Sequence, residues 1–222
     1  MSAGSGTSAG TAAAIGSARL APWVVPALRA LIALIIGFVI TFTPAHSASF
    51  GLITFGIFAV IEGAVVSAGA LGDRAERQAR SLFVVQGVLT VIAGVAALVL
   101  PDGGIHYFVW VVSAWAIVTG ALELVSGIRA RGRVAVARDW MILGGLTLLL
   151  AVAFLVTPPD YSQPLGGLEQ IKGELTASVV LVGMFGAWAI VAGVLLGISA
   201  VSAHSPRAST AKAATTRTKA RS

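Results

Sequence analysis

Six long apolar runs constrain the fold of this sequence more than any other feature. Each is about as long as the roughly 17–25 residues that a helix needs to cross the hydrocarbon of a bilayer. A helix also satisfies its own backbone hydrogen bonds there, which an open sheet does not. The sequence therefore predicts an all-α membrane protein with six transmembrane helices. The predicted spans are residues 23–43, 48–71, 82–100, 105–128, 140–157 and 175–201.

The composition agrees with lipid as the main solvent and narrows the chemistry. Of the 222 residues, 57% are hydrophobic and only 11% are charged, whereas soluble domains carry about 25% charged residues. The absence of Cys excludes disulfides, thiolate metal ligands and a cysteine nucleophile. No Walker loop, nucleophile elbow, GxGxxG or HExxH motif is present. We predict a protein that is not an enzyme and that has no metal and no cofactor.

The distribution of Lys and Arg predicts the topology. Of the 15 Lys and Arg residues, all except Lys172 lie on one predicted side of the membrane. They precede the first run or lie in its first turns, as Arg29 does, or they follow the second, fourth or sixth run. We expect Arg29 to extend back to the membrane surface. The positive-inside rule then places both termini and the two Arg-rich loops in the cytoplasm. We expect the membrane to be a bacterial plasma (inner) membrane.

Polar tails flank the predicted six-helix domain, which covers residues 23–201. Residues 1–22 are rich in Ser, Gly and Ala, and 202–222 form a basic tail; both are predicted to be disordered because they bury too little apolar area. The bilayer is the predicted partner, with anionic lipid contact through the basic tail left open. Nucleic-acid binding is not expected, because no aromatic platform accompanies the charges. A homo-oligomer is left open.

An internal repeat divides the domain into three helical hairpins, residues 23–71, 82–128 and 140–201. Pro44, Pro101 and Pro158 each end an odd-numbered span and lie 57 residues apart. The even spans repeat as well, because AWAIVTG at 114–120 returns as AWAIVAG at 187–193. That offset is longer, so the third hairpin carries extra residues in its outer loop. Three antiparallel hairpins in the same orientation suggest a pseudo-threefold axis along the membrane normal.

Small residues seven positions apart mark a packing stripe on every span. Such a stripe lets two helices approach closely, and van der Waals contact of this kind drives helix association in lipid. We predict that each odd span packs through its stripe on the even span that follows it. The glycines of these stripes are Gly37, Gly87, Gly94 and Gly144 in the odd spans, and Gly56, Gly63, Gly120, Gly127, Gly186 and Gly193 in the even spans.

Over about residues 27–200 the chain resembles the HdeD-like family of short-repeat bacterial membrane proteins. The matching elements are GFVITFTP (37–44), GVAALVLP (94–101) and AVAFLVTP (151–158), together with the AWAIVTG and AWAIVAG segments and the Arg-rich loops. The resemblance implies a plasma-membrane protein linked to acid resistance or envelope stress, and it implies no catalytic residues.

Two carboxyl groups and one amide inside the spans are the candidate site residues. Glu62 lies near the middle of the second span and Glu123 lies in the fourth; ionisable groups there are costly and therefore suggest function. For each of these two residues there are two interpretations. The side chain is a proton-binding carboxylate that faces the bundle interior, or it is a hydrogen-bonded group that helps the helices pack. Glu123 has a further alternative, which is to reach the interface or to pair with Arg129 or Arg131. Gln86 lies at a similar depth and is expected to hydrogen-bond Glu123.

Three functions follow from these observations. The first is a non-enzymatic membrane protein of the HdeD-like type that supports acid or envelope-stress tolerance. The second is a small proton-coupled transporter or channel that uses Glu62, with Glu123 as a second group. The third is a membrane scaffold that binds a partner through its tails.

Overall fold

The computed structural model describes residues 21, 23–44, 46–72, 77–134, 136–164 and 174–205, and within them six long apolar helices carry the fold. The prediction of six spans is confirmed, with helix ends within five residues of the predicted limits. The helices are α1 (Val24–Phe42), α2 (Ala48–Gly72), α3 (Arg77–Val99), α4 (Gly104–Ala130), α5 (Ala137–Val156) and α6 (Ala177–His204).

Proline and glycine terminate the helices where the repeat places them. Pro44, Pro101 and Pro158 each stand two residues beyond the end of an odd-numbered helix, because proline has no backbone N–H and its ring clashes with the preceding turn. Gly132 follows the last turn of α4 with φ of +77°, a conformation that glycine adopts without strain.

The helices alternate between an inner and an outer position. The inner helices α2, α4 and α6 are the more buried ones. The outer helices α1, α3 and α5 expose large apolar side chains along their length, which is the surface that lipid requires. Examples of these exposed side chains are Leu31, Phe38, Ile92, Val95, Leu149 and Val152.

Three close helix pairs, α2–α3, α4–α5 and α6–α1, form the tightest interfaces. In the α2–α3 pair, a Cβ built on Gly63 would lie 2.5 Å from the Gly87 carbonyl oxygen. In the α4–α5 pair, a Cβ on Gly144 would lie 2.7 Å from the Gly120 carbonyl oxygen. In the α6–α1 pair, a Cβ on Gly37 would lie 3.2 Å from the Gly186 carbonyl oxygen. These helix pairs are equivalent under the repeat.

The predicted pairing of the stripes is therefore wrong. The glycines of the odd helices face the preceding even helix, or α6 in the case of α1, and not the even helix that follows. The remaining predicted stripe glycines lie in the same interfaces: Gly56 faces Gly94 in α2–α3, Gly127 faces Ala137 and Met141 in α4–α5, and Gly193 faces Ala30 and Leu34 in α6–α1. The two helices of each predicted hairpin touch less extensively.

The pair α6–α1 closes the helices into a ring, because it joins the last helix to the first. At the end of the pair where α1 begins and α6 ends, the Trp23 and His204 rings meet edge to face, with centroids 5.1 Å apart. We call this end of the bundle the basic end. It holds the first residue of α1, the last residue of α6, and the α2–α3 and α4–α5 connections with Arg131 and Arg133.

The outer loop of the third hairpin contains a short two-stranded sheet that the sequence did not predict. Strands β1 (Ser162–Pro164) and β2 (Glu174–Thr176) pair antiparallel, with Gln163 opposite Leu175. The helix α6 continues to His204, past the predicted domain end at 201. Of the residues predicted to be disordered, 1–22 and 202–222, the structure places 202–204 in α6, whereas 1–20, 22 and 206–222 lie outside the described residues, as does Lys172 in the loop.

Candidate functional site

A small cavity lies between the inner and outer helices and is lined by five sets of repeat-equivalent residues. Its volume is about 20 Å³, which is on the order of the space that one water molecule needs. The outer helices contribute Arg29, Gln86 and Leu143, and, one turn further on, Ala33, Thr90 and Thr147. The inner helices contribute Phe58, Trp115 and Trp188; Glu62, Thr119 and Ala192; and Val66, Glu123 and Leu196.

Three charged residues meet at this cavity, and we call Arg29, Glu62 and Glu123 the charge cluster. The Arg29 Nε donates to Glu62 Oε1 at 2.5 Å, and its Nη1 donates to Glu123 Oε1 at 3.2 Å. All three side chains are at least nine-tenths buried. The structure thus brings together the two carboxyl groups that the sequence singled out, and it adds the guanidinium between them.

The position of Arg29 corrects the prediction that it extends to the membrane surface. It lies about 8 Å along α1 from the first residue of the helix, and its guanidinium points inward to α2 and α4 instead. The suggested pairing of Glu123 with Arg129 or Arg131 is also wrong, because Glu123 pairs with Arg29 inside the bundle instead. In the low-dielectric interior, the Coulombic attraction between the guanidinium and the two carboxyl groups is stronger than that of a solvated surface pair. This attraction offsets part of the cost of removing the charges from water.

Polar groups from α3 complete one side of the cavity. Gln86 lines the cavity together with Glu123, and the hydrogen bond that the sequence suggested between their side chains stays a prediction. The Trp115 Nε1 donates to Thr90 Oγ1 at 3.2 Å, and the Thr90 hydroxyl donates to the Gln86 carbonyl oxygen at 2.8 Å. Among the described residues, neither the Glu62 Oε2 nor the Gln86 Oε1 atom has a hydrogen-bond partner.

A group of aromatic side chains closes the cavity on the side away from the basic end and fills the bundle axis there. We call Phe55, Phe58, Trp115, Phe185 and Trp188 the aromatic plug. The Phe58, Trp115 and Trp188 rings hold repeat-equivalent positions, and their centroids lie 5.4–6.0 Å apart in edge-to-face contacts. Because protein interiors are close-packed, such a layer leaves no room for a continuous file of water.

The charge cluster has one more carboxyl group than it has guanidinium groups. With one ionised carboxylate and one protonated carboxyl it is neutral; with both ionised it carries one negative charge inside the membrane. Burying an unpaired charge is costly, so this arrangement is chemically suited to binding a proton. Among the described residues, no group of three or more His, Cys, Asp or Glu side chains could hold a metal ion.

Sequence reasoning missed the part that Arg29 plays in the site. A usable signal is present, because the 57-residue repeat aligns Arg29 with Gln86, and Gln86 is expected from the sequence to hydrogen-bond Glu123. Helices that are repeat-equivalent present equivalent positions to the axis, so the alignment pointed inward for both side chains.

Six membrane-crossing helices arranged as a threefold repeat define a multi-pass integral membrane protein. The chain belongs to the family described as a short repeat of unknown function (DUF308), the HdeD-like membrane protein family, whose model matches residues 28–94, 85–157 and 174–212. The suspected resemblance is therefore confirmed. No curated protein and no solved structure matches the chain.

Proposed function

We propose that this protein is a non-enzymatic component of the bacterial plasma membrane that supports acid or envelope-stress tolerance, and that it does so by binding protons at the charge cluster. The observation that carries the proposal is the pairing of one buried guanidinium with two buried carboxyl groups at the cavity. The link to acid resistance comes from the resemblance to the HdeD-like family, and we extend it to this chain as part of the proposal. Protonation is the smallest chemical change that such a cluster can undergo, and it changes the net charge of the interior.

A survival assay tests the physiological part of this proposal. A strain that lacks the gene is complemented with wild type, Glu62→Gln or Glu123→Gln and exposed to low external pH, with protein amounts matched by immunoblot. We expect wild type to restore survival and each Gln variant to restore less. Asp102→Asn is the matched control, because Asp102 lies at the opposite end of the bundle, where it accepts a hydrogen bond from Ser49. Full rescue by both Gln variants contradicts the proposal.

A proton-coupled transporter or channel is the second candidate function, favoured by the two intramembrane carboxyl groups on one cavity. The aromatic plug argues against a permanently open path, so transport would require the plug to move. Proton flux into liposomes separates the two candidates. Equal flux with wild type, with Glu62→Gln and with protein-free liposomes removes the transporter, whereas flux that depends on Glu62 favours it.

A further inference from the structure

Each member of the charge cluster belongs to a different close helix pair. Arg29 lies in the pair α6–α1, Glu62 in the pair α2–α3, and Glu123 in the pair α4–α5. Both ion-pair contacts therefore cross from one helix pair to another. The cluster is the one place among the described residues where salt bridges join the three pairs.

The contacts inside the pairs differ in kind from the contacts between them. Inside a pair the two backbones touch: a Cβ on Gly94 would lie 2.8 Å from the Val60 amide nitrogen, and one on Gly144 would lie 2.6 Å from the Leu124 amide nitrogen. Between pairs the contacts are fewer and include rings such as Phe55 on Phe185. Backbone contact resists sliding, while side chains change rotamer readily, so motion is easier between pairs than inside them.

No other ionisable group faces the cluster from the helices around it, as far as the structure describes them. The outer helices α3 and α5 present Gln86, Thr90, Leu143 and Thr147 to the cavity, and α6 presents Trp188, Ala192 and Leu196. The nearest acid on α5, Asp139, accepts a hydrogen bond from Ser199 and does not line the cavity. The charge of the cavity is therefore set by Arg29, Glu62 and Glu123.

We propose that the charge cluster binds a single proton and that this proton controls how the three helix pairs fit together. The inference rests on the proposed proton-binding function and names how that site is regulated. With the proton bound, as an O–H on one carboxyl group, the cluster is neutral and Arg29 holds both partners. When the proton leaves, two carboxylates share one guanidinium, and their repulsion separates α2–α3 from α4–α5. Acidification therefore favours the compact bundle.

Spin-label distance measurements test this inference, and the absence of Cys from the sequence makes the labelling clean. Leu71→Cys on α2 and Ile128→Cys on α4 report between pairs near the basic end, and both positions are exposed. Phe42→Cys on α1 and Val201→Cys on α6 report inside one pair, from exposed positions at its two ends. The protein is labelled and studied by double electron–electron resonance in lipid nanodiscs between mildly acidic and alkaline pH.

We expect the 71–128 distance to lengthen by about 2 Å or more as the pH rises, which is the size of helix shifts in known switches. The 42–201 distance stays constant. In Glu123→Gln the cluster has one guanidinium and only one carboxyl group, so two carboxylates cannot form there and the 71–128 distance stays short. Glu62→Gln gives the same result and serves if Glu123→Gln does not fold. An unchanged 71–128 distance in wild type, or a change that survives in the Gln variants, overturns the inference.

Infrared spectroscopy keeps this outcome separate from the proposed function. A protonated carboxyl group gives its own carbonyl band, and we expect a band that disappears with rising pH and is missing from Glu62→Gln and Glu123→Gln. If the band titrates while the 71–128 distance does not change, proton binding stands and the coupling to helix pairs falls. If no such band titrates in wild type, both fall. If the 42–201 distance changes as well, the pairs are not rigid and the inference is overturned.

Discussion

The guanidinium of Arg29 and the carboxylate of Glu123 meet inside the bundle at 3.2 Å, although 94 residues separate them in the chain. The contact joins α1 to α4, two helices that belong to different hairpins of the repeat. It exists because α6 packs on α1 and closes the ring, which turns the inner face of α1 toward the axis. The charge of the interior is thus a property of the closed ring and of no single hairpin.

Stability should follow the charge balance of the cluster. Removing both carboxyl groups, in Glu62→Gln with Glu123→Gln, leaves Arg29 unpaired and is expected to destabilise the protein by about 3–5 kcal/mol. Removing one carboxyl leaves a neutral pair and should cost about 1 kcal/mol. Thermal unfolding in detergent, followed by Trp fluorescence, measures these differences.

The matched control adds Arg29→Leu to the double variant. Because the buried charge is then gone, most of the lost stability should return. A triple variant that unfolds below the double variant would show that Arg29 stabilises the bundle by packing and not through its charge.

Two neighbouring glycines of α5 should respond differently to the same substitution. In Gly144→Ala the new methyl group would lie 2.6 Å from the Leu124 amide nitrogen, so the α4–α5 pair has to move apart, at a cost of about 1–3 kcal/mol. In Gly145→Ala the methyl group meets nothing within 4 Å, and stability should be unchanged or slightly higher. Melting temperatures in the same detergent decide the matter, and equal losses for the two variants would contradict the close pairing of α4 with α5.

The aromatic plug should be the barrier between the cavity and the far end of the bundle. Trp188→Ala removes a ring that contacts Phe58, Trp115 and Phe185. We expect a loss of about 3–5 kcal/mol in stability and faster collapse of a pH gradient in proteoliposomes that contain a pH-sensitive dye. Trp110→Ala is the control, because Trp110 is 69% exposed on the lipid side. If Trp188→Ala leaks no faster than Trp110→Ala, the barrier lies elsewhere.

The closure between α6 and α1 predicts that the chain can be opened at another place. Trp23 and His204 meet at the basic end, where residues 73–76 link α2 to α3 and residues 131–136 link α4 to α5. A circular permutant that joins 205 to 23 through a short Gly/Ser linker and begins at residue 77 should fold, because every helix pair is kept. Co-elution with wild type and a similar melting temperature are the expected results. A second permutant that begins at residue 48 cuts the connection between α1 and α2 and tests whether their less extensive interface depends on that connection. If the permutant that begins at residue 77 fails to fold while this one folds, ring closure is contradicted.

Hydropathy and the 57-residue repeat predicted six helices and their limits, because apolar length and helix-ending prolines are local properties. The pairing of the helices was not predictable in the same way. A stripe such as Gly87 and Gly94 shows that some helix approaches closely, yet it fits the preceding or the following neighbour equally well. The role of Arg29 failed for a related reason, since its inward direction depends on α6 closing the ring, a contact between the two ends of the chain. The strands β1 and β2 are too short to show a periodic pattern.

Joining three hairpins in one polypeptide gives this bundle a freedom that three identical chains would lack. Around a true threefold axis an arginine at the position of Arg29 would occur three times, and so would each glutamate. Here the same positions hold Arg29, Gln86 and Leu143 in one ring and Glu62, Thr119 and Ala192 in another. A single chain with three repeats thus allows an asymmetric interior with one arginine at these positions, while the three close helix pairs remain equivalent.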